Sequence, residues 1–451
     1  MESSFHLRGT HLYLMLDDIN ARAGFVQEIL TYLETVQTRQ QRIESVFVKG
    51  AMSREAAQQR IPEAMALQIF QALSHLPNIE RLEVSGDGRF GGLFLPVQAM
   101  TLALQNQPQH LFSLRLGNVI LTTRNNNTNQ NARGDNLDIV DLANALKGLP
   151  SLTSIDLVRC RAESDTVSLG PLIHSISTTP TLQQAMFCET LIATANSTAA
   201  NGTGSFLSDL CTSPSLKKLW WKTMPDMTND HIVFMARQLK TNTVLTELTI
   251  RSHGLGKEAG EAIADMLFTN KTLQVINLDL DRPEYGLAIA EALHKNASLQ
   301  CLDVWAWNGG NEEGSHSNPD RITDTFTTML QHNHVLRFLT FQGLDWNNPE
   351  VDFYLRLNRA GRQALLQNAN DKRQWMETLI QQKEDIALVY YFLSLNPEVC
   401  YPNHDDSIGV FAISSSNGKD IGNLKRKAEE MATPSDELLE TSATDTKPMQ
   451  M

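Results

Sequence analysis

The chain has 451 residues, 41% of them hydrophobic, with 38 Lys and Arg against 51 Asp and Glu, for a net charge of −13. That acidic balance argues against nucleic acid as the main partner, because neutralising phosphates needs a basic surface. No apolar run approaches the ~20 residues of a membrane span, and the opening MESSFHLRGTHLYLML carries only a short apolar stretch, so no signal peptide is expected.

In chain order, residues 21–40 place Phe25, Ile29, Tyr32 and Leu33 at helical spacing. They precede the first strand, Ile43-x-x-Val46-x-Val48, and are expected to form part of an N-terminal cap over residues 1–40. From there a cadence of Leu-x-x-Leu-x-Leu returns about ten times. Its clearest copies are Leu245-x-x-Leu248-x-Ile250, Leu273-x-x-Ile276-x-Leu278 and Leu299-x-x-Leu302-x-Val304. The middle apolar residues run Val46, Leu82, Leu114, Ile155, Ala185, Leu219, Leu248, Ile276, Leu302 and Leu339, and the shortest steps are 26 to 29 residues. A unit of that length has room for a short strand, a helix and two turns.

Amphipathic helices are expected between the strands, for example over residues 62–75, 256–269 and 284–295. They stop at Pro77, Pro108, Pro150, Pro180 and Pro214, or at Asn242, Asn270, Asn296 and Asn333. The asparagines are expected there as left-handed caps. Polar, Gly/Asn-rich insertions at 123–136, 190–204 and 308–320 each follow a strand and would emerge on one rim.

These motifs resemble the ribonuclease-inhibitor class of leucine-rich repeat proteins, whose signature is L-x-x-L-x-L-x-x-N/C-x-L. The resemblance covers residues of about 41 to 400. It implies an α/β leucine-rich repeat solenoid, a horseshoe with a parallel concave sheet, convex helices, a helical C-terminal cap and a disordered tail. The division is an N-terminal cap (1–40), repeats (41–345), a C-terminal cap (346–402) and a tail (403–451). Within the cap, Tyr354-Leu355-Arg356-Leu357-Asn358-Arg359-Ala360-Gly361-Arg362 and the apolar helix near Ile386–Leu393, ending at Asn396-Pro397, look like the closing segment of such proteins from unicellular eukaryotes. Arg359 and Arg362 are read as capping arginines that bond exposed carbonyls, in preference to a phosphate clamp.

The five cysteines have no ligand-like spacing and read as reduced thiols of an intracellular protein. Cys160 occupies the consensus Cys/Asn slot and is expected to bond the turn backbone. Lys425-Arg426-Lys427 is a minimal basic cluster in a tail whose composition gains Ser, Thr, Asp and Lys; it fits nuclear import or a solvated charge run. The location is otherwise read as cytoplasmic.

Catalytic signals are not found. His332-Asn333-His334 has the look of a nuclease motif, but Asn333 shares its repeat slot with Asn242, Asn270 and Asn296. Ser85-Gly86-Asp87-Gly88-Arg89-Phe90-Gly91-Gly92 follows a strand as a phosphate loop does, without the Gly-Lys-Ser/Thr ending. Neither metal nor cofactor is expected.

Strand alternation sends the third, fifth and seventh residues of each motif to the concave face. Two candidate patches result: Met186, Lys218, Trp220, Lys222 and Arg251 as an aromatic-basic one, and Asp279, Asp303 and Trp305, with Trp307 nearby, as an acidic-aromatic one. Arg115 faces the same way nearer the N-terminus. The expected function is a monomeric, non-catalytic scaffold or adaptor that binds a protein or peptide through these residues. Two alternatives are a GTPase-activating regulator using Arg89 or Arg124 on the rim, and a ubiquitin-ligase substrate receptor.

Overall fold

The computed structural model describes residues 5–16, 24–50, 62–76, 78–87, 92–106, 110–123, 137–164, 167–190, 207–222, 228–306, 319–342 and 348–400. The chain divides into two compact units, Met1–Phe392 and Leu393–Met451. The first holds the repeats; the described part of the second ends in a 3-10 turn, Pro397–Cys400.

The strands, in order, are β1 (Phe5–Arg8), β2 (His11–Met15), β3 (Ser45–Lys49), β4 (Arg81–Ser85), β5 (Leu93–Pro96), β6 (Ser113–Gly117), β7 (Val119–Thr122), β8 (Ser154–Val158), β9 (Arg161–Ala162), β10 (Gln184–Cys188), β11 (Lys218–Lys222), β12 (Glu247–Leu255), β13 (Val275–Leu280), β14 (Cys301–Ala306) and β15 (Phe338–Gln342). Twelve of them form one sheet in the order β1-β2-β3-β4-β6-β8-β10-β11-β12-β13-β14-β15, parallel except for the β1–β2 pair. The predicted middle residues are aligned rung by rung: Val46 faces Leu82, then Leu114, Ile155, Ala185, Leu219, Leu248, Ile276, Leu302 and Leu339. This unbroken register, with a helix crossing between most strands, makes the unit a leucine-rich repeat solenoid.

Each rung buries its fourth and sixth motif residues in one continuous core with the helices. These helices are α1 (Phe25–Thr38), α2 (Glu63–Ser74), α3 (Val97–Gln105), α4 (Leu137–Lys147), α5 (Gly170–Thr178), α6 (Asn229–Leu239), α7 (Lys257–Thr269), α8 (Gly286–Leu293) and α9 (Pro319–His332). The closing helices are α10 (Pro349–Arg359), α11 (Arg362–Gln367), α12 (Lys372–Gln381) and α13 (Ile386–Leu395). Among the described residues, no helix is long and apolar enough to cross a membrane.

The sheet begins earlier than the sequence motif does. Leu12 and Leu14 of β2 pair with Val46 and Val48 and are fully buried, adding a rung where only a cap helix was expected. A small parallel sheet, β5-β7-β9, also lies beside the main one and was not foreseen. The third insertion is shorter than expected, because Pro319 and Asp320 already belong to α9. Proline suits a first helical turn, where its missing N–H has no intrahelical partner.

The repeat asparagines do not act as left-handed caps. Asn270 has φ −71° and ψ 130°, an extended conformation. Its amide instead bridges repeats: Nδ2 donates to the carbonyls of Leu239 (2.7 Å) and Asn242 (3.1 Å), while Oδ1 accepts from the N–H groups of Thr272 and Leu273 (2.9 and 2.8 Å). Asn296 and Asn333 repeat the pattern, and Asn358 closes the row by donating to the carbonyls of Asn333 and Leu336. A side chain that satisfies backbone groups buried at the seam of two repeats outweighs a preference for any one backbone conformation.

The left-handed positions fall elsewhere. Asn118, Arg159 and Glu189 follow β6, β8 and β10 with φ of 51°, 53° and 48°. Each backbone N–H then reaches the carbonyl ending the next strand, those of Val158 (2.7 Å), Cys188 (2.7 Å) and Lys222 (2.9 Å). Cys160 behaves as its slot predicts: it is buried and its thiol donates to the Leu116 carbonyl at 3.2 Å. In the next repeat Thr190 does the same work, donating to the carbonyls of Leu157 and Cys188 at 2.9 and 3.1 Å.

Candidate partner-binding face

Opposite the helices, the third, fifth and seventh motif residues form three rows across the main sheet. The fifth-position row reads Tyr13, Phe47, Glu83, Arg115, Asp156, Met186, Trp220, Thr249, Asn277, Asp303 and Thr340 in consecutive pairing. The adjacent tryptophans of β11 show how alternation sorts identical residues. Trp221 is buried beside Phe187, with ring centroids 5.1 Å apart, whereas Trp220 lies half-buried on the helix-free face.

The indole Nε1 of Trp220 donates to Glu247 at 2.8 Å, and the Lys218 ammonium pairs with the same carboxylate at 2.9 Å. Met186 neighbours Trp220 in register on β10. One strand further, the Arg251 guanidinium donates to Asp303 at 3.0 Å, approaches Asp279 at 4.0 Å and lies 4.5 Å from the centre of the Trp305 ring. Trp305 in turn donates to Asp303 at 3.2 Å, and the Thr340 hydroxyl donates to the other oxygen of the same carboxylate. Trp305 and Phe338 remain 36% and 54% exposed.

The geometry corrects the division into a basic and an acidic patch. Arg251 is not part of a free basic surface; it is hydrogen-bonded to Asp303 and lies 4.0 Å from Asp279, both residues of the supposed acidic patch. Opposite charges within reach on neighbouring strands attract, so side chains that the motif columns separate become one network. Glu247, outside the two motif-based patches, neutralises Lys218. It was legible in principle, because Lys218 and Glu247 occupy the same motif position in successive repeats.

Arg115 stands apart from this network, exposed on β6. Its electrostatic neighbours include Asp156, whose carboxyl is pushed up by burial, pulled down by Arg115 and Arg81, and raised again by Glu83. At the N-terminal end the rings of His6, Tyr13 and Phe47 stack at 4.8 Å steps with interplanar angles near 10°. This ladder was missed because His6 and Tyr13 lie before the first recognised motif.

Other candidate features are absorbed by structure. The Asn333 amide of His332-Asn333-His334 is fully engaged with two carbonyls and two N–H groups. Gly86 lies so close to Leu93 N and Asn118 O that a Cβ would sit 2.4 and 2.6 Å from them, so packing demands that glycine. Arg362 is buried, donates to the carbonyls of Leu330 (3.2 Å) and Gln331 (2.8 Å) and stacks on Tyr354 and Tyr391, as a capping arginine should. Arg359 pairs with Asp352 at 3.5 Å and covers Phe338. Arg89, Arg124, Trp307, most of the inserted loops and the tail with Lys425, Arg426 and Lys427 lie outside the described residues.

No protein-family model matches the chain, and no curated protein matches it. Among solved structures it is similar to the actin-binding site 2 of leiomodin-1, at 23% identity over 37% of this chain and 94% of that one, with a TM-score of 0.31. A second is the C-terminal domain of tropomodulin from Caenorhabditis elegans, at 12% identity over 38% of this chain and 97% of that one, with a TM-score of 0.29. A third is TLR13 in complex with single-stranded RNA, at 12% identity over 60% of this chain and 30% of that one, with a TM-score of 0.30.

Proposed function

We propose that this protein is a non-catalytic interaction scaffold of the ribonuclease-inhibitor type that binds a protein or peptide on the helix-free face of its sheet. The observation that carries this reading is the set Trp220, Arg251 and Trp305. Large aromatic and guanidinium groups, which a solenoid does not require on that side, are held in position by hydrogen bonds to Glu247 and Asp303. Trp and Arg are the residues that most often anchor interfaces, and prior ordering lowers the entropy lost on binding.

Size is consistent with a macromolecular partner. Twelve strands at about 4.8 Å spacing extend over roughly 50 Å, enough for the ~800 Å² per side of a standard interface. The test is affinity capture from native extract with wild-type protein and a folded Trp220→Ala/Arg251→Glu double variant. A stoichiometric protein retained only by wild type supports the reading; one retained equally by both places binding elsewhere.

A further inference from the structure

The tryptophans of the sheet face carry polar handles that are already engaged. Nε1 of Trp220 donates to Glu247 at 2.8 Å and Nε1 of Trp305 to Asp303 at 3.2 Å, so each ring offers a partner its hydrocarbon surface. Arg251 lies over the Trp305 ring, 4.5 Å from its centre, and that side chain is still 36% exposed. In the third-position row, Val275, Cys301 and Phe338 pair in register on β13, β14 and β15. Val275 and Cys301 are partly exposed, and Phe338 is 54% exposed. Burial, then the Asp303 and Glu247 carboxylates, push the Cys301 thiol up from its ordinary value, so it stays uncharged at neutral pH.

The charges on the same strands cancel. From β11 to β15 the three outward rows carry three cations, Lys218, Lys222 and Arg251, and three carboxylates, Glu247, Asp279 and Asp303. Lys218 is paired with Glu247 at 2.9 Å and Arg251 with Asp303 at 3.0 Å. At the edge of the row, Arg359 lies over Phe338 and pairs with Asp352 at 3.5 Å.

Resting on the binding reading above, we propose that β11–β15 recognise an uncharged segment of a protein partner, whose aliphatic or aromatic side chains seat on the Val275–Cys301–Phe338 row and against Trp305. The charge balance selects this occupant. A charged partner group would be desolvated with no excess of opposite charge to receive it, or would have to break an existing pair. An apolar side chain covers exposed hydrocarbon and leaves both indole bonds and both ion pairs intact. Phe338 and Trp305 stand on adjacent strands but four motif positions apart, roughly 14 Å, so they take different side chains of the segment.

The experiment is selection of a random-peptide display library against the full chain, using wild type, Trp220→Ala, Trp305→Ala and Phe338→Ala, each verified as folded by circular dichroism. The wild-type pool is expected to be enriched in Leu, Ile, Phe, Tyr or Trp at two positions, without enrichment of Asp, Glu, Lys or Arg. The leading peptide should bind Trp305→Ala and Phe338→Ala at least ~10-fold more weakly than wild type. Its affinity for wild type, a measurement that needs no variant, should change less than ~3-fold between about 50 and about 500 mM NaCl.

Enrichment of acidic or basic residues, a larger fall with salt, or indifference to both Trp305→Ala and Phe338→Ala overturns the uncharged-segment assignment. In those cases the sheet-face reading survives only if Trp220→Ala abolishes selection. Peptides unaffected by all three substitutions, or no enriched peptide at all, overturn both.

Discussion

Arg251 and Asp303 lie two strands apart, on β12 and β14, yet the guanidinium crosses β13 to donate to the carboxylate at 3.0 Å. The bond spans three repeats and fixes the surface that we propose as the binding site. Less than a third of either side chain is exposed, so water screens the pair less than it does most surface ion pairs.

A double-mutant cycle with Arg251→Met and Asp303→Asn should therefore return a coupling of about 1 kcal/mol by urea denaturation. Additive losses would mean that the two residues do not interact in solution.

The asparagine row should matter more to stability. Asn296→Ala removes an amide that serves two carbonyls and two N–H groups at a buried seam. A loss of ~2–4 kcal/mol is expected from the unsatisfied backbone. Denaturation midpoints compared with an exposed control, Gln381→Ala, check it; equal midpoints would remove the row from the account.

The thiols should respond to pH in a defined window. Burial pushes Cys160 from 9.0 up to about 12, so in the folded chain it stays protonated where the unfolded chain ionises. Its contribution is fully present below pH 9.0 and is lost as pH rises towards 12. Stability should fall over that range, and less steeply in Cys160→Ala. At pH 8 a thiol reagent should label exposed Cys400 well before buried Cys160 and Cys211, which mass spectrometry of the labelled chain reads directly.

His334 gives the opposite sign. Burial, then the charge of Arg362, lowers its pKa below the ordinary 6.5. A depressed folded value means that its contribution is present above pH 6.5 and is lost as pH falls through the folded value. Thermal stability should decline below pH 6.5, and His334→Gln should flatten that decline. A slope unchanged by the substitution would assign the acid sensitivity to other groups.

Sequence was most informative where hydrophobic period alone decides position. Val46 through Leu339 were identifiable as one row because leucine spacing and strand alternation leave a single consistent register. Leu12 and Leu14 escaped because a lone alternating segment without a preceding Leu-x-x has many readings. The left-handed turns at Arg159 and Glu189 were hidden because neither residue type signals that conformation, and the asparagines that do signal it were needed for carbonyls across the seam. At the candidate site the residues were found but their partnerships were not. Motif columns give a side chain's row, whereas the reach of Arg251 over β13 to Asp303 depends on rotamers that no periodicity encodes.

The most direct test of the sheet-face claim compares two phenylalanines of similar exposure, Phe338 on β15 at 54% and Phe268 on α7 at 49%. Replacing each in turn with a photo-crosslinking benzoylphenylalanine, in the full chain and in native extract, samples the helix-free face and the helical side. A discrete adduct is expected from position 338, lost when Trp220→Ala is added, and none from 268. An adduct from 268 alone would contradict it and move the interaction surface to the helices.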